Sequence, residues 1–290
     1  MAYDLQYFKN RVRPEPDWII PNWLKRKNTG FILGEPKKAC KSWLMFDLAI
    51  SLALQKPLWG ITYLDGKPLF QASRPMRTVY FTQEDSEDDF HDRALLRFNA
   101  GLEDTGDLVW IVPKDLSIGF GERDRKVKLA EELRQVQSKS GPIDLVMFDP
   151  MRRMHKGNEN DSQVIVDLWN QLDALHADYN CGTLFSHHVV KPPKDATVIM
   201  DLTSPYMARG SGDIYGGGDA FINVVPSKSR GGIAGYCPDY RILDLHFESK
   251  RSAPVQPSRV KVSFETGKVS FMEFTSAPKD EKKKGKFEVN

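Results

Sequence analysis

The chain has 290 residues, 40% hydrophobic and 28% charged, with 41 Lys and Arg against 39 Asp and Glu and a formal net charge of +2. This is the composition of an ordinary globular chain with a sizeable core, and it excludes nucleic-acid binding through a global positive field. Cys40, Cys181 and Cys237 lack metal-ligand or disulfide spacing, and no run of about 18 apolar residues exists; with an N-terminus too charged for a signal peptide, the expectation is a cytoplasmic protein with no membrane partner.

Residues 1–28 read as an aromatic and basic lead-in whose Trp18, Ile19, Ile20, Trp23 and Leu24 pack on a domain spanning 29–275. The apolar run Gly30–Leu33 predicts a buried strand, and Leu44, Met45, Leu48, Ala49 and Leu52 predict the apolar face of a helix. Between them lies Gly34-Glu35-Pro36-Lys37-Lys38-Ala39-Cys40-Lys41-Ser42. A strand, a tight loop and a helix opening at Lys-Ser form the frame of a phosphate-binding loop, in which backbone N–H groups and the helix N-terminus cradle phosphates. In that pattern Lys holds the β/γ-phosphates and Ser the Mg²⁺. The pattern's two glycines fall on Glu35 and Cys40, so a strand–turn–helix with a solvated Lys pair stays open as the plainer alternative.

Residues 57–76 predict a loop or hairpin turning at Asp65-Gly66. Thr78–Thr82 predicts a strand ending in Gln83-Glu84-Asp85, followed by a helix over Glu87–Ala100 whose acidic start suits its dipole. A strand at Leu108–Val112 precedes a charge-laced helix at Arg123–Lys139, with Val127, Leu129, Ala130, Leu133 and Val136 inward. Pro142–Asp149 predicts a buried strand closed by a carboxylate. A polar loop with Arg152, Arg153, His155 and Lys156 leads to a helix at Ser162–Asp178, with Val164, Leu168, Leu172 and Leu175 inward. Gly182–Ser186 is again a strand, ending in His187-His188. Strands alternating with helices predict an α/β fold, a mainly parallel sheet with helices on both faces. A long Lys/Pro-containing loop and a Gly-rich segment follow. Four strand-like segments between Ala220 and Phe274 then predict an antiparallel end to the sheet, and residues 276–290 a basic disordered tail.

The chemistry-bearing residues fall at predicted carboxyl ends of strands, where open α/β sheets bind ligands. Asp149 stands where a phosphate-loop ATPase keeps its Mg²⁺-supporting carboxylate, and Glu84 where a base or water-positioning residue acts. Asp85 could serve the helix start as well as Glu84. His187 and His188 point to opposite faces of their strand, one into the core and one, expected to be His188, toward the γ-phosphate.

The succession of this loop, Gln83-Glu84-Asp85, FDPMRRMHKGNENDS at 148–162, FSHHVVK at 185–191, ARGSG at 208–212 and ESKR at 248–251 resembles the RecA-fold hexameric ATPases of the plasmid RepA replicative-helicase type, over about Asp17 to Pro254. The resemblance implies a RecA-like ATPase core using ATP and Mg²⁺, with residues 35–42 binding nucleotide, Ser42 and Asp149 serving the metal, Glu84 catalytic and His188 sensing phosphate. It matches Arg93 to a helix arginine of open role. It also implies a ring, hexameric in the family, in which a neighbour's basic residue completes each site. The family's arginine for that role falls here on Ile222, which leaves Lys250 and Arg251 as candidates, with Arg209 behind them. The loops after Asp149 and His188 line the family's pore. Arg152, Arg153, His155, Lys156, Lys191 and Lys194 are therefore the expected contacts to single-stranded DNA, sequence-independent in kind. The implied function is a DNA-stimulated helicase of a plasmid, phage or mobile element, meeting a primase, loader or polymerase. A recombination or annealing mediator and a degenerate ATPase scaffold or loader are the alternatives. A metabolic phosphate-loop kinase is disfavoured, since no Arg-rich lid lies between the Asp149 and His188 strands.

Overall fold

The computed structural model describes residues 4–12, 15–190, 201–227, 236–250 and 252–275. Lys191, Lys194, Arg251 and the tail at 276–290 lie outside them. A short helix α1 (Leu5–Asn10) and a two-stranded ribbon, β1 (Trp18–Ile20) with β2 (Leu24–Lys25), precede a ten-stranded sheet. Its elements are β3 (Thr29–Gly34), α2 (Lys41–Ala53), β4 (Thr78–Thr82), α3 (Glu87–Asn99), β5 (Val109–Val112), α4 (Arg123–Ser140) and β6 (Leu145–Asp149). Next come α5 (Met151–Met154), α6 (Ser162–Tyr179), β7 (Gly182–His188), α7 (Asp213–Gly217), β8 (Ala220–Pro226), β9 (Tyr236–Cys237), β10 (Tyr240–Ser249), β11 (Ser258–Ser263) and β12 (Val269–Phe274).

The strand order is β12-β11-β10-β8-β3-β7-β6-β4-β5, with β9 paired to β10. From β8 to β5 neighbouring strands run parallel; β10, β11 and β12 extend the sheet antiparallel. β8, the first of the four late segments, thus belongs to the parallel core, and the antiparallel end begins one strand later than the turns suggest.

The central strands are apolar throughout because both faces are covered. One aromatic from each of five strands lies in register on a single face: Phe221, Phe31, Phe185, Phe148 and Phe81. Their rings stack with centroids 5.5, 5.6, 5.0 and 5.3 Å apart in that order. Stacking at such offsets adds about 0.5–1.5 kcal/mol per pair beyond area burial. This face is packed by α4 and α6 through Leu129, Leu133, Val136, Ile165, Leu168 and Leu172. Val127, expected inward, is 44% exposed, and Ile165 rather than Val164 is the fully buried residue at the start of α6.

The opposite face carries Ile32, Tyr80, Met147, Leu184 and Ile222 and receives α2. Rather than showing one apolar face, α2 is enclosed nearly all round, with Phe46, Asp47, Ile50 and Ser51 buried as well. The turn at Leu58–Gly60 covers it: Trp59 is fully buried and its Nε1–H donates to the Leu44 carbonyl at 3.1 Å. Ile19, Ile20, Trp23 and Leu24 join the same core. Among the described residues no helix is long and apolar enough to cross a membrane.

Candidate active site

Strand parity sets the site. Phe148 and Phe185 face α4 and α6, so the next residues, Asp149 and Ser186, face α2, and so does His188 two positions on. Thr82 is the partner of Asp149 in the β4–β6 pair, and Gly34 of His188 in the β3–β7 pair. Glu84, Asp149 and His188 therefore meet Lys41 and Ser42 at the start of α2 in one cleft of about 360 Å³, lined by Lys37, Cys40, Lys41, Ser42, Trp43, Glu84, Asp85, Arg93, Asp149, Pro150, Ser186, His188 and Phe264.

The loop folds tightly. Gly34 ends β3 against Ala39, and a Cβ at Gly34 would sit 2.4 Å from the Ala39 methyl. The N–H groups of Lys38 and Ala39 donate to the carbonyls of Pro36 and Glu35, and Lys38 pairs with the Glu35 carboxylate at 2.6 Å. Lys37 has φ +62°, and Cys40, the residue ahead of α2, has φ +48° and ψ +34°. Cys40 thus takes the left-handed conformation that a glycine adopts freely. The first intrahelical bond runs from Leu44 N–H to the Cys40 carbonyl, so by helix geometry the N–H groups of Lys41, Ser42 and Trp43 need partners outside the helix.

Lys41 is almost fully buried, and its ammonium donates to Gly34 O at 3.1 Å, Glu35 O at 3.4 Å and His188 Nδ1 at 3.2 Å. Burial pulls its pKa down, while Asp149 and Glu84 act to raise it. An ammonium only donates, so Nδ1 of His188 is the acceptor and its proton resides on Nε2. Burial, then Lys41, hold His188 down at about 4, so the ring is neutral.

Asp149 is fixed from beneath by two hydroxyls. Tyr80 donates to Oδ2 at 2.7 Å and Ser186 Oγ donates to Oδ1. Each carboxylate oxygen keeps a further lone pair, which suits a cation held through its water shell. With the Ser42 hydroxyl in the same cleft this donor set is hard oxygen, and it fits Mg²⁺, whose chemistry there would be neutralising phosphate charge.

Asp85 is committed elsewhere: it accepts from Thr82 Oγ1 at 3.1 Å and from Arg93 at 2.7 Å. Ser86 and Asp89 form the capping box of α3. Neither Asp85 nor Glu84 is therefore needed to cap α3. Glu84 makes no ion pair with a described residue, and partial desolvation and then Asp149 push its carboxyl up, with Arg153 and Lys41 opposing. A carboxylate of raised pKa beside a phosphate cradle is a competent base. Arg93, paired with Asp85, lies 4.9 Å over the Trp43 ring. Trp43 and Phe264 face one another at the mouth, 6.0 Å between centroids.

Other expected residues lie elsewhere. Arg152 and Arg153 are exposed on α5, and Lys156 pairs with Glu122 at 2.7 Å. His155 is corrected: it is buried, neither ring nitrogen has a partner among the described residues, and burial and Arg152 lower its pKa, so it offers no positive charge to DNA. Lys250 follows β10 at the amino end of the parallel strands, the end opposite the cleft, since Ser249 pairs with Ala220 and Ala220 with Gly30. Its ammonium donates to Tyr215 O and Gly216 O. Tyr80, Ser186, Trp43 and Phe264 are site residues that sequence reading missed. Ser186 alone carried a signal, two positions before His188 on the same face.

Residues 5–194 match the AAA domain family. The chain belongs to that family. Among curated proteins none matches this AAA domain in sequence. In fold it is similar to a KaiC-like protein from the hyperthermophilic archaeon Pyrococcus horikoshii, with a TM-score of 0.52 over 90% of this chain and 96% of that one, at 9% identity. At that identity the likeness concerns fold alone; taken with the family match and the loop that leads into Lys41-Ser42, it gives this AAA domain a RecA-like phosphate-loop ATPase core.

Proposed function

We propose that this ATPase forms a ring, hexameric in the simplest case, and couples ATP turnover to movement along single-stranded DNA as a replicative helicase of a plasmid, phage or other mobile element. The observation that carries the reading is the origin of the basic segment: Arg152, Arg153 and Lys156 follow directly on Asp149, so cations and metal carboxylate share one strand end. The Lys156–Glu122 pair is exposed, and exposed pairs are worth only about 0–1 kcal/mol, so a phosphodiester can displace it. Lys191 and Lys194 would extend this surface. Lys250, far from its own cleft, could serve only a neighbour's site; Arg251 is the other candidate for that role. ATP is the nucleotide and Mg²⁺ the metal, in the cytoplasm of a host cell, with a primase, loader or polymerase as protein partner.

ATP hydrolysis measured with and without single-stranded DNA, followed by displacement of a forked duplex, tests the reading. Stimulated turnover with displacement is expected. Stimulation without displacement would favour a recombination or annealing mediator. The positive φ at Cys40 favours one second reading, a scaffold or loader with a weakened site, and absence of turnover in both conditions would select it.

A further inference from the structure

The two histidines ending β7 are gripped by one arginine. The Arg209 N–H donates to the His188 carbonyl at 2.9 Å, and the Arg209 carbonyl accepts from His187 Nε2 at 2.6 Å. His187 is 1% exposed and burial holds it down at about 4, so Nε2–H remains a donor across the neutral range. From this anchored backbone the Arg209 side chain reaches Glu159, pairing Nε with its carboxylate at 2.7 Å. Glu159 is 4% exposed, lies in the segment that follows Asp149, and has Arg152 at 3.9 Å as a second cation. The Ser211 N–H donates to the Glu159 carbonyl at 2.7 Å. Gly210, at φ +109°, allows this approach: a Cβ there would stand 2.7 Å from the same carbonyl oxygen.

The chain after Asp149 and the chain after His188 are therefore fastened at one buried carboxylate. The fastening differs from a plain structural cross-link because its cations are accessible. Arg209 is 55% and Arg152 47% exposed on their side chains, so a phosphodiester arriving from solvent competes with Glu159 for the same two guanidiniums. Any shift in that competition pulls on the Arg209 backbone, which holds the carbonyl of His188, and His188 holds Lys41.

We infer that Glu159 is a positioning residue: through Arg209 it makes ATP turnover respond to a nucleic-acid backbone bound at Arg152 and Arg209. The inference rests on the DNA-stimulated ATPase reading above. Coupling between two sites is commonly 5–150-fold. In Glu159→Gln, isosteric and uncharged, basal turnover and nucleotide affinity are expected to match the parent, while stimulation by oligo(dT) falls by roughly 5-fold or more. Glu159→Asp should recover part of the stimulation. Arg209→Ala, altering the exposed partner, should lose it too, which covers the case of a Glu159→Gln protein that does not fold. Were Arg209 instead a residue acting on a neighbour's phosphate, its removal would abolish basal turnover and Glu159→Gln would be silent.

Stimulation intact in Glu159→Gln, or basal and stimulated rates falling by the same factor, would overturn the inference and leave the ATPase reading standing. A parent enzyme with no stimulation by oligo(dT) would overturn both.

Discussion

At Cys40 the backbone holds a left-handed conformation that costs a non-glycine residue about 1–2 kcal/mol. The strain is tolerated because Ala39 is packed against Gly34 and Lys41 is held by three acceptors, which together fix both sides of Cys40. Those three acceptors use all three ammonium protons, so an incoming phosphate must replace one of them. Cys40→Gly is expected to raise the urea midpoint slightly, glycine's larger unfolded-state entropy offsetting part of the relief. ATP affinity, titrated with a fluorescent analogue, should be unchanged or up to about 10-fold tighter. Binding that appears only in Cys40→Gly would mean that the parent loop is closed to nucleotide.

Among the elements, those with a strong local pattern were legible. The β3–loop–α2 unit shows as an apolar run, a turn and helical spacing, and the carboxyl-end rule gathers Lys41, Glu84, Asp149 and His188 from sequence alone. Alternation along β7 separates the two histidines, and the structure sends His188 to Lys41 and His187 to Arg209. What sequence withheld is contact between strands that are distant in the chain. Tyr80 and Ser186 hold Asp149 from neighbouring strands, and Phe264 reaches Trp43 from the turn after β11; no local period encodes either. His155 reads as a solvated loop cation because its neighbours are Arg and Lys. In the fold Met151 and Met154 are buried beside it and it sinks with them. The helix α1 has Asp4 as its N-cap but is only six residues long and buries none of them, and its Leu5 and Phe8 are too short a run to establish a helical period.

For the molecule as a whole, the buried histidines set the direction of its acid response. His176, His187 and His188 are each held at about 4 against an ordinary value of 6.5, in each case first by burial. Between those values the unfolded chain binds more protons than the folded one, so stability rises with pH there and is lost as pH falls from about 6.5 toward 4. Asp47, pushed up to about 6 by burial against the pull of Arg97, works in the opposite direction, as does the raised carboxyl of Glu84. His155 and His246, also lowered by burial, act with the three histidines. The urea midpoint is therefore expected to be lower at pH 5 than at pH 7, and an equal or higher midpoint at pH 5 would show that these histidines are not held neutral.

The central claim is that one cleft, assembled from the ends of β3, β4, β6 and β7, binds and hydrolyses ATP with Glu84 as its base. Steady-state hydrolysis by Glu84→Gln beside the parent, with nucleotide binding measured on both proteins, tests it most directly. A positioned base contributes about 10²–10⁴-fold, so the variant should bind ATP as the parent does and turn it over at least about 100-fold more slowly. Hydrolysis by Glu84→Gln at the parental rate would contradict the assignment of this cleft.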